Sequence, residues 1–198
     1  MILHCYSEKN WSQQQETWDA VAKIEAAGYV VTDELTTIRD DSAYWRVLLR
    51  HWSKGRLILF EQDIVPTVAM IQDLSTCYHP ACVYPYKLEG LNFALWQGVW
   101  EDKANQPLAY GKHGVVDFGS TPRPSATIPL EAPFPEFVEG AGIGLIKLSK
   151  EMQAAIPLAD YPVPHQYDMM DTWISSYLSQ VLKKKWHVHT PNVRHNHY

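Results

Sequence analysis

Apolar residues along this chain switch between helical spacing and short unbroken runs, and their order predicts parallel strands linked by helices. Ile2-Leu3-His4-Cys5-Tyr6 reads as a short first strand. From Ser12 to Ala27 the spacing is helical, with Trp18, Val21, Ala22 and Glu25 on one face. Ser12 can cap that helix and Gly28 is a natural stop. Tyr29-Val30-Val31 is a second strand. Asp41 or Ser42 can cap a second helix running to Trp52, which Gly55 ends. Leu57 to Phe60 follows with no polar residue alternating within it, the mark of a strand buried on both faces. This β-α-β-α-β order predicts a parallel sheet with right-handed crossovers.

The second half is less regular. Pro66 suits the first position of a helix from Thr67 to about Leu74. Residues 76–141 hold more than half of the chain's 13 prolines, which predicts short strands and loops packed over the sheet. Long loops of this kind often carry the substrate side of a site. Gly142 to Leu148 is a predicted strand, with a short helix from Ser149. A last helix is expected from Asp171 to about Lys185, burying Ile174, Tyr177, Leu178, Val181 and Leu182. Lys183, Lys184 and Lys185 complement the negative end of its dipole. Trp186 to His189 closes as a strand. The fold class expected is α/β, a single domain over residues 1–198 with a mostly parallel sheet flanked by helices.

Composition narrows the function classes. Hydrophobic residues at 46% and aromatic residues at 12% are too many for a disordered chain. A formal charge of −5 gives no general reason to expect nucleic-acid binding. The first residues lack the charged flank and apolar stretch of a signal peptide, and no run approaches the roughly 20 apolar residues of a membrane span. The expectation is a soluble protein of the cytoplasm. Three cysteines make no disulfide framework. Cys77 and Cys82 can bridge if their loop curls back, or stay reduced. Zinc is the weaker reading, because the local spacing offers no Cys or Cys/His pair to complete a site.

Candidate chemistry begins at Glu61-Gln62-Asp63, where the apolar run ends abruptly in two carboxylates. In extended backbone, positions i and i+2 share a side, so Glu61 and Asp63 can converge on one ion while Gln62 faces away. Hard cations such as Mg²⁺ or Mn²⁺ take one or two carboxylates plus phosphate oxygens. Open α/β sheets bind ligands at the carboxyl ends of their strands. The plain alternative is a solvated turn with two incidental acids.

This strand-ending acid pair resembles the Asp-x-Asp motif of GT-A fold glycosyltransferases, the nucleotide-diphospho-sugar transferases, with Glu at the first position. The resemblance implies a GT-A-like domain. Residues 1–75 would form its nucleotide-binding half, and residues 76–198 the acceptor half and C-terminal tail. Glu61, Asp63 and His195 would hold Mn²⁺ or Mg²⁺, the imidazole favouring manganese. Asp171, in Tyr167-Asp168-Met169-Met170-Asp171-Thr172-Trp173, would be the catalytic base, with Asp168 in reserve. Tyr6 and Ser7 would flank the nucleotide base, Asp40 would contact base or ribose, and Arg46 would reach phosphate. Read without the resemblance, Asp171 and Asp40 are helix caps, Arg46 is a surface ion-pair member, and the four histidines after Lys185 belong to a polar tail.

The implied activity is metal-dependent transfer of a sugar from a nucleotide diphosphate donor to an unknown glycan or protein acceptor, with inversion. The alternative is a non-catalytic sugar-nucleotide or glycan-binding module on the same fold. A glycoside hydrolase pairing Glu61 or Asp63 with Asp171 fits less well, because two acids on one strand end do not flank a glycosidic bond. A metal hydrolase built on the C-terminal histidines is a further rival. Absence of Gly-x-Gly-x-x-Gly and Walker sequences argues against dinucleotide and P-loop sites, and Gly140, Gly142 and Gly144 read as strand-packing glycines. As a whole the chain also resembles a small viral member of this group from a hyperthermophilic host. That would place it in host cytoplasm and favour a Cys77–Cys82 bridge.

Overall fold

The structure is a computed structural model that describes residues 1–7, 14–36, 41–87, 92–101, 123–129, 133–160 and 170–196. In chain order its elements are β1 (Ile2–Ser7), α1 (Gln15–Ala26), β2 (Val31–Thr36), α2 (Asp41–His51), β3 (Leu57–Glu61) and β4 (Ile64–Val65). Next come α3 (Val68–Thr76), β5 (Ala81–Val83), β6 (Asn92–Glu101), β7 (Arg123–Pro129), β8 (Phe137–Val138), β9 (Gly140–Ala141) and β10 (Leu145–Leu148). The chain continues through α4 (Lys150–Ala155), α5 (Met170–Ser176), a π turn (Tyr177–Val181), β11 (Trp186–Val188) and β12 (Arg194–His195).

A seven-stranded sheet in the order β2-β1-β3-β10-β5-β11-β8 organises the molecule. β1 lies parallel to both β2 and β3, with Ile2 opposite Val31 and Ile58. The connection to β2 and the crossover back to β3 leave β1 on opposite sides, so α1 and α2 cover opposite faces. Alternation along the strands then divides the core. Leu3, Cys5, Leu57 and Leu59 face Tyr44, Val47 and Leu48 of α2, together with Trp173, Ile174 and Trp186. Ile2, Ile58 and Phe60 face Val21 and Ile24 of α1, Ile71 and Leu74 of α3, and Val193. The all-apolar β3 is buried on both sides, as its sequence predicts.

The expected mostly parallel sheet is in fact mixed. β10 runs antiparallel to both β3 and β5, and β8 antiparallel to β11. The reason lies in how the chain arrives. No helix carries it back from β9. The Gly144 carbonyl instead accepts from the Glu61 amide at the carboxyl end of β3, so β10 must run down the sheet from there. Residues 92–101 and 123–129 form two strands of a separate three-stranded sheet, β7-β6-β9, and at 10 and 7 residues they are longer than the short strands expected.

Several local expectations shift. The described part of α1 begins at Gln15 and buries Thr17, Ala20, Val21 and Ile24; Trp18 is half-buried against the rings of His4 and Tyr6, and Ala22 and Glu25 are exposed. β2 starts at Val31, with Val30 81% exposed before it. Thr67, rather than Pro66, opens α3: its hydroxyl accepts from the Met70 amide at 3.2 Å, which is an N-cap. α5 is shorter than its apolar stripe predicts, passing into the π turn at Tyr177 and stopping before Lys183, whose φ of 54° cannot continue a helix. Ser12, the proposed cap of α1, lies outside the described residues.

Candidate functional site

The carboxyl ends of β1 and β3 lie side by side, with Cys5 opposite Glu61, and bring Tyr6 and Ser7 beside the acid motif. Glu61 continues the alternation of Leu57 and Leu59, so its side chain takes the α2 face. Burial first, and then the Glu61 and Glu34 charges, raise the pKa of the Cys5 thiol well above its ordinary value. Gln62 turns the other way, and its amide oxygen accepts from Gln14 at 3.4 Å.

The i, i+2 rule by which Glu61 and Asp63 are expected to converge does not carry over to the folded chain. β3 ends at Glu61, and Gln62–Asp63 form a turn before β4, so the extended-chain rule no longer applies. Asp63 instead meets the C-terminal tail. β12 pairs antiparallel with β4, placing His195 opposite Ile64, and the Asn196 amide donates to the Asp63 carbonyl at 2.8 Å. His195 Nε2 lies 3.1 Å from Asp63 Oδ2, and its Nδ1 lies 2.9 Å from the Lys87 carbonyl. Glu61 does not complete a group of three: among the described residues, no set containing Glu61, Asp63 and His195 has all its ligand atoms within 4.8 Å.

Both ring nitrogens of His195 thus face acceptors, and the ring must carry two protons to satisfy them. Burial opposes that charge, but the hydrogen bond to Asp63, the Asp63 charge and the Lys87 carbonyl outweigh it and raise the His195 pKa. Asp63 Oδ1 is buried without a hydrogen-bond partner among the described residues. A divalent cation fits this arrangement, because it can take the place of the Nε2 proton and accept the orphaned oxygen. Tyr86 fixes the far side of the imidazole, its ring centroid 4.9 Å away. Gly142 and Gly144 make room for Tyr86: a Cβ on Gly144 would lie 2.5 Å from Tyr86 Cε1. The glycines are there for packing, as expected.

The remaining candidates divide. Asp171 is half-buried in the first turn of α5, one residue inside the helix and therefore not its N-cap. α5 packs on the sheet face that Glu61 also takes. Arg46 is exposed on α2. Asp40 and Asp168 lie outside the described residues. A shallow cavity of about 450 Å³ opens beside Met1, Ile2, Arg56 and Ile58, at the amino end of the strands, away from this chemistry.

A second cluster was missed from sequence. Cys77, Cys82, His187 and His189 place one ligand atom each within 4.8 Å of one another. β11 is parallel to β5 with His187 opposite Cys82, which puts these two on the same face, and His189 follows at i+2. Cys77 arrives as the C-cap of α3. The sulfurs of Cys77 and Cys82 are 3.4 Å apart and unbonded. His189 Nδ1 lies 2.5 Å from Asp73 Oδ2, which also accepts from the Tyr84 hydroxyl at 2.5 Å. Burial opposes the Asp73 charge, but these two partners hold its carboxyl below the usual range. Burial pushes the Cys82 thiol up to about 12. The signal that could have found the cluster is His-x-His in a strand, a second pair for Cys77 and Cys82 at long range.

No known family profile matches the chain, and no curated protein matches it. Among solved structures, the chain is similar to the crystal structure of A197 from STIV, a viral protein, with a TM-score of 0.54 and 12% identity. The match covers 96% of this chain and 81% of that one. At this identity the likeness shows a shared α/β fold. Among the described residues, no helix is long and apolar enough to cross a membrane.

Proposed function

We propose that this protein is a metal-dependent glycosyltransferase that moves a sugar from a nucleotide diphosphate donor to an acceptor hydroxyl, with inversion. The observation that carries the reading is the meeting of Asp63 and His195 at the carboxyl end of β3, where the tail folds back over the sheet. The GT-A resemblance of the acid motif supports it. Asp63 and His195 would hold Mn²⁺ or Mg²⁺; Glu61 lines the same strand end and orients donor or water. A cation held there would supply positive charge against the departing diphosphate.

Tyr6 and Ser7, at the end of β1, flank the nucleotide, and Arg46 on α2 attracts its phosphates. Asp171 accepts the proton of the acceptor hydroxyl as that oxygen attacks the sugar carbon from the side opposite the diphosphate. A single experiment tests the reading. Calorimetry with UDP- and GDP-sugars, with and without Mn²⁺, should show donor binding that depends on the cation and is followed by slow donor hydrolysis. Binding without turnover would leave a sugar-nucleotide-binding module; no binding of any donor would overturn the reading.

A further inference from the structure

We infer that Cys77, Cys82, His187 and His189 form a closed, structural zinc site, independent of the Asp63–His195 centre. Four ligand atoms within 4.8 Å of one another are close enough to share one ion. With bonds of about 2.3 Å to sulfur and 2.0–2.1 Å to nitrogen, the edges of a zinc tetrahedron are roughly 3.4–3.8 Å. The sulfur pair, at 3.4 Å, is a few tenths of an ångström short of its edge, the longest of the six. Two thiolates and two imidazoles in this geometry select zinc over hard cations.

The second observation is the state of the two imidazoles. His189 is 92% buried by its 8% exposure, and Asp73 engages its Nδ1, leaving Nε2 buried without a partner among the described residues. A carboxylate on the far nitrogen is the partner that orients a metal-bound histidine, fixes its tautomer and raises its basicity. His187 Nδ1 is likewise buried and without a partner among the described residues. Two orphaned imidazole nitrogens beside two thiols are costly in a folded protein unless something binds them. The buried Lys147 ammonium donates to the carbonyls of Cys77 and His79, fixing the loop between the two cysteines and placing positive charge by the sulfurs. Zinc binding releases the two thiol protons to solvent, and no fifth position is left for chemistry.

The consequence is architectural. The four ligands come from the end of α3, from β5, and from β11 with the residue after it, so the ion ties the closing strand to the centre of the sheet. His189 also marks where the tail departs toward His195, and the site fixes that departure.

Cobalt titration tests this directly on the chelator-treated, reduced wild-type chain. One equivalent should give tetrahedral d–d bands and a thiolate-to-cobalt charge-transfer band, and zinc should displace it. Cys82→Ser should weaken the charge-transfer band, because one thiolate remains, and Asp73→Asn should weaken zinc affinity about 10–100-fold. Asp63→Ala should leave the cobalt spectrum unchanged, which separates this site from the proposed donor centre. Wild-type protein that takes up cobalt without a thiolate band overturns the inference. So does a reduced chain that binds no zinc and only rejoins Cys77 to Cys82 on oxidation.

Discussion

His195 Nε2 rests 3.1 Å from Asp63 Oδ2, and the hydrogen bond closes a loop across most of the chain. Its folded pKa is raised, so the pair stabilises fully below the unfolded value near 6.5 and loses that contribution as pH rises through the higher folded value. In metal-free protein, the melting-temperature gap between wild type and Asp63→Asn should therefore be widest at acidic pH. It should narrow through and above neutrality. A gap that widens with pH would mean that His195 is neutral in the fold.

Asp63→Ala should abolish cation-dependent donor binding while the sheet still folds. Asp63 sits in a turn with its side chain 18% exposed, so loss of the charged hydrogen bond should cost on the order of 1–2 kcal/mol. Calorimetry with UDP or GDP plus Mn²⁺ reads the first effect, and denaturant unfolding the second. Unchanged donor affinity would place the diphosphate elsewhere.

Asp171→Asn should slow transfer by on the order of 10²–10⁴ and leave donor affinity intact, because an amide cannot take the acceptor's proton. Asp171 lies inside the first turn of α5, where a carboxylate also favours the helix dipole, so melting should fall only slightly. Steady-state turnover beside donor titration separates these roles. Near-normal turnover would assign Asp171 to the helix alone.

Gly144→Ala should act at a distance on His195. The added Cβ meets Tyr86 Cε1 at 2.5 Å and Ile64 Cδ1 at 2.9 Å, both buried. Tyr86 must move, and overpacking of this kind costs roughly 1–3 kcal/mol. Its ring is what the imidazole leans on, so cation-dependent donor binding should weaken together with stability. Loss of stability with unaltered donor binding would uncouple Tyr86 from the site.

Local pattern carried the N-terminal half well. An unbroken apolar run has few ways to fold, and Leu57–Phe60 became the doubly buried strand it resembles. α1 obeyed its stop at Gly28, whose φ is 90°. What local pattern could not show was direction and distance. Nothing in Leu145–Leu148 says that it runs antiparallel to β3, because that follows from where the preceding chain lies. The motif was placed correctly at the strand end, yet its geometry turned on one residue of strand length at Glu61. His195 was singled out through a family pattern, whereas His187 and His189 looked like tail residues until the pairing of β11 with β5 set them beside Cys82.

β10 fills the middle of the sheet, and that has a consequence for synthesis. While the chain emerges from the ribosome, β1, β2 and β3 are all made long before β10, the strand that covers the open edge of β3. About 80 residues separate β3 from β10, which is on the order of 4–16 s of translation. Throughout that interval the outer edge of Leu57–Phe60 offers unpaired backbone and apolar side chains, the features that recruit a second chain. Nascent chains halted in that interval should therefore be the aggregation-prone species, and slowing of elongation there should lower the yield of folded protein more than slowing after residue 148.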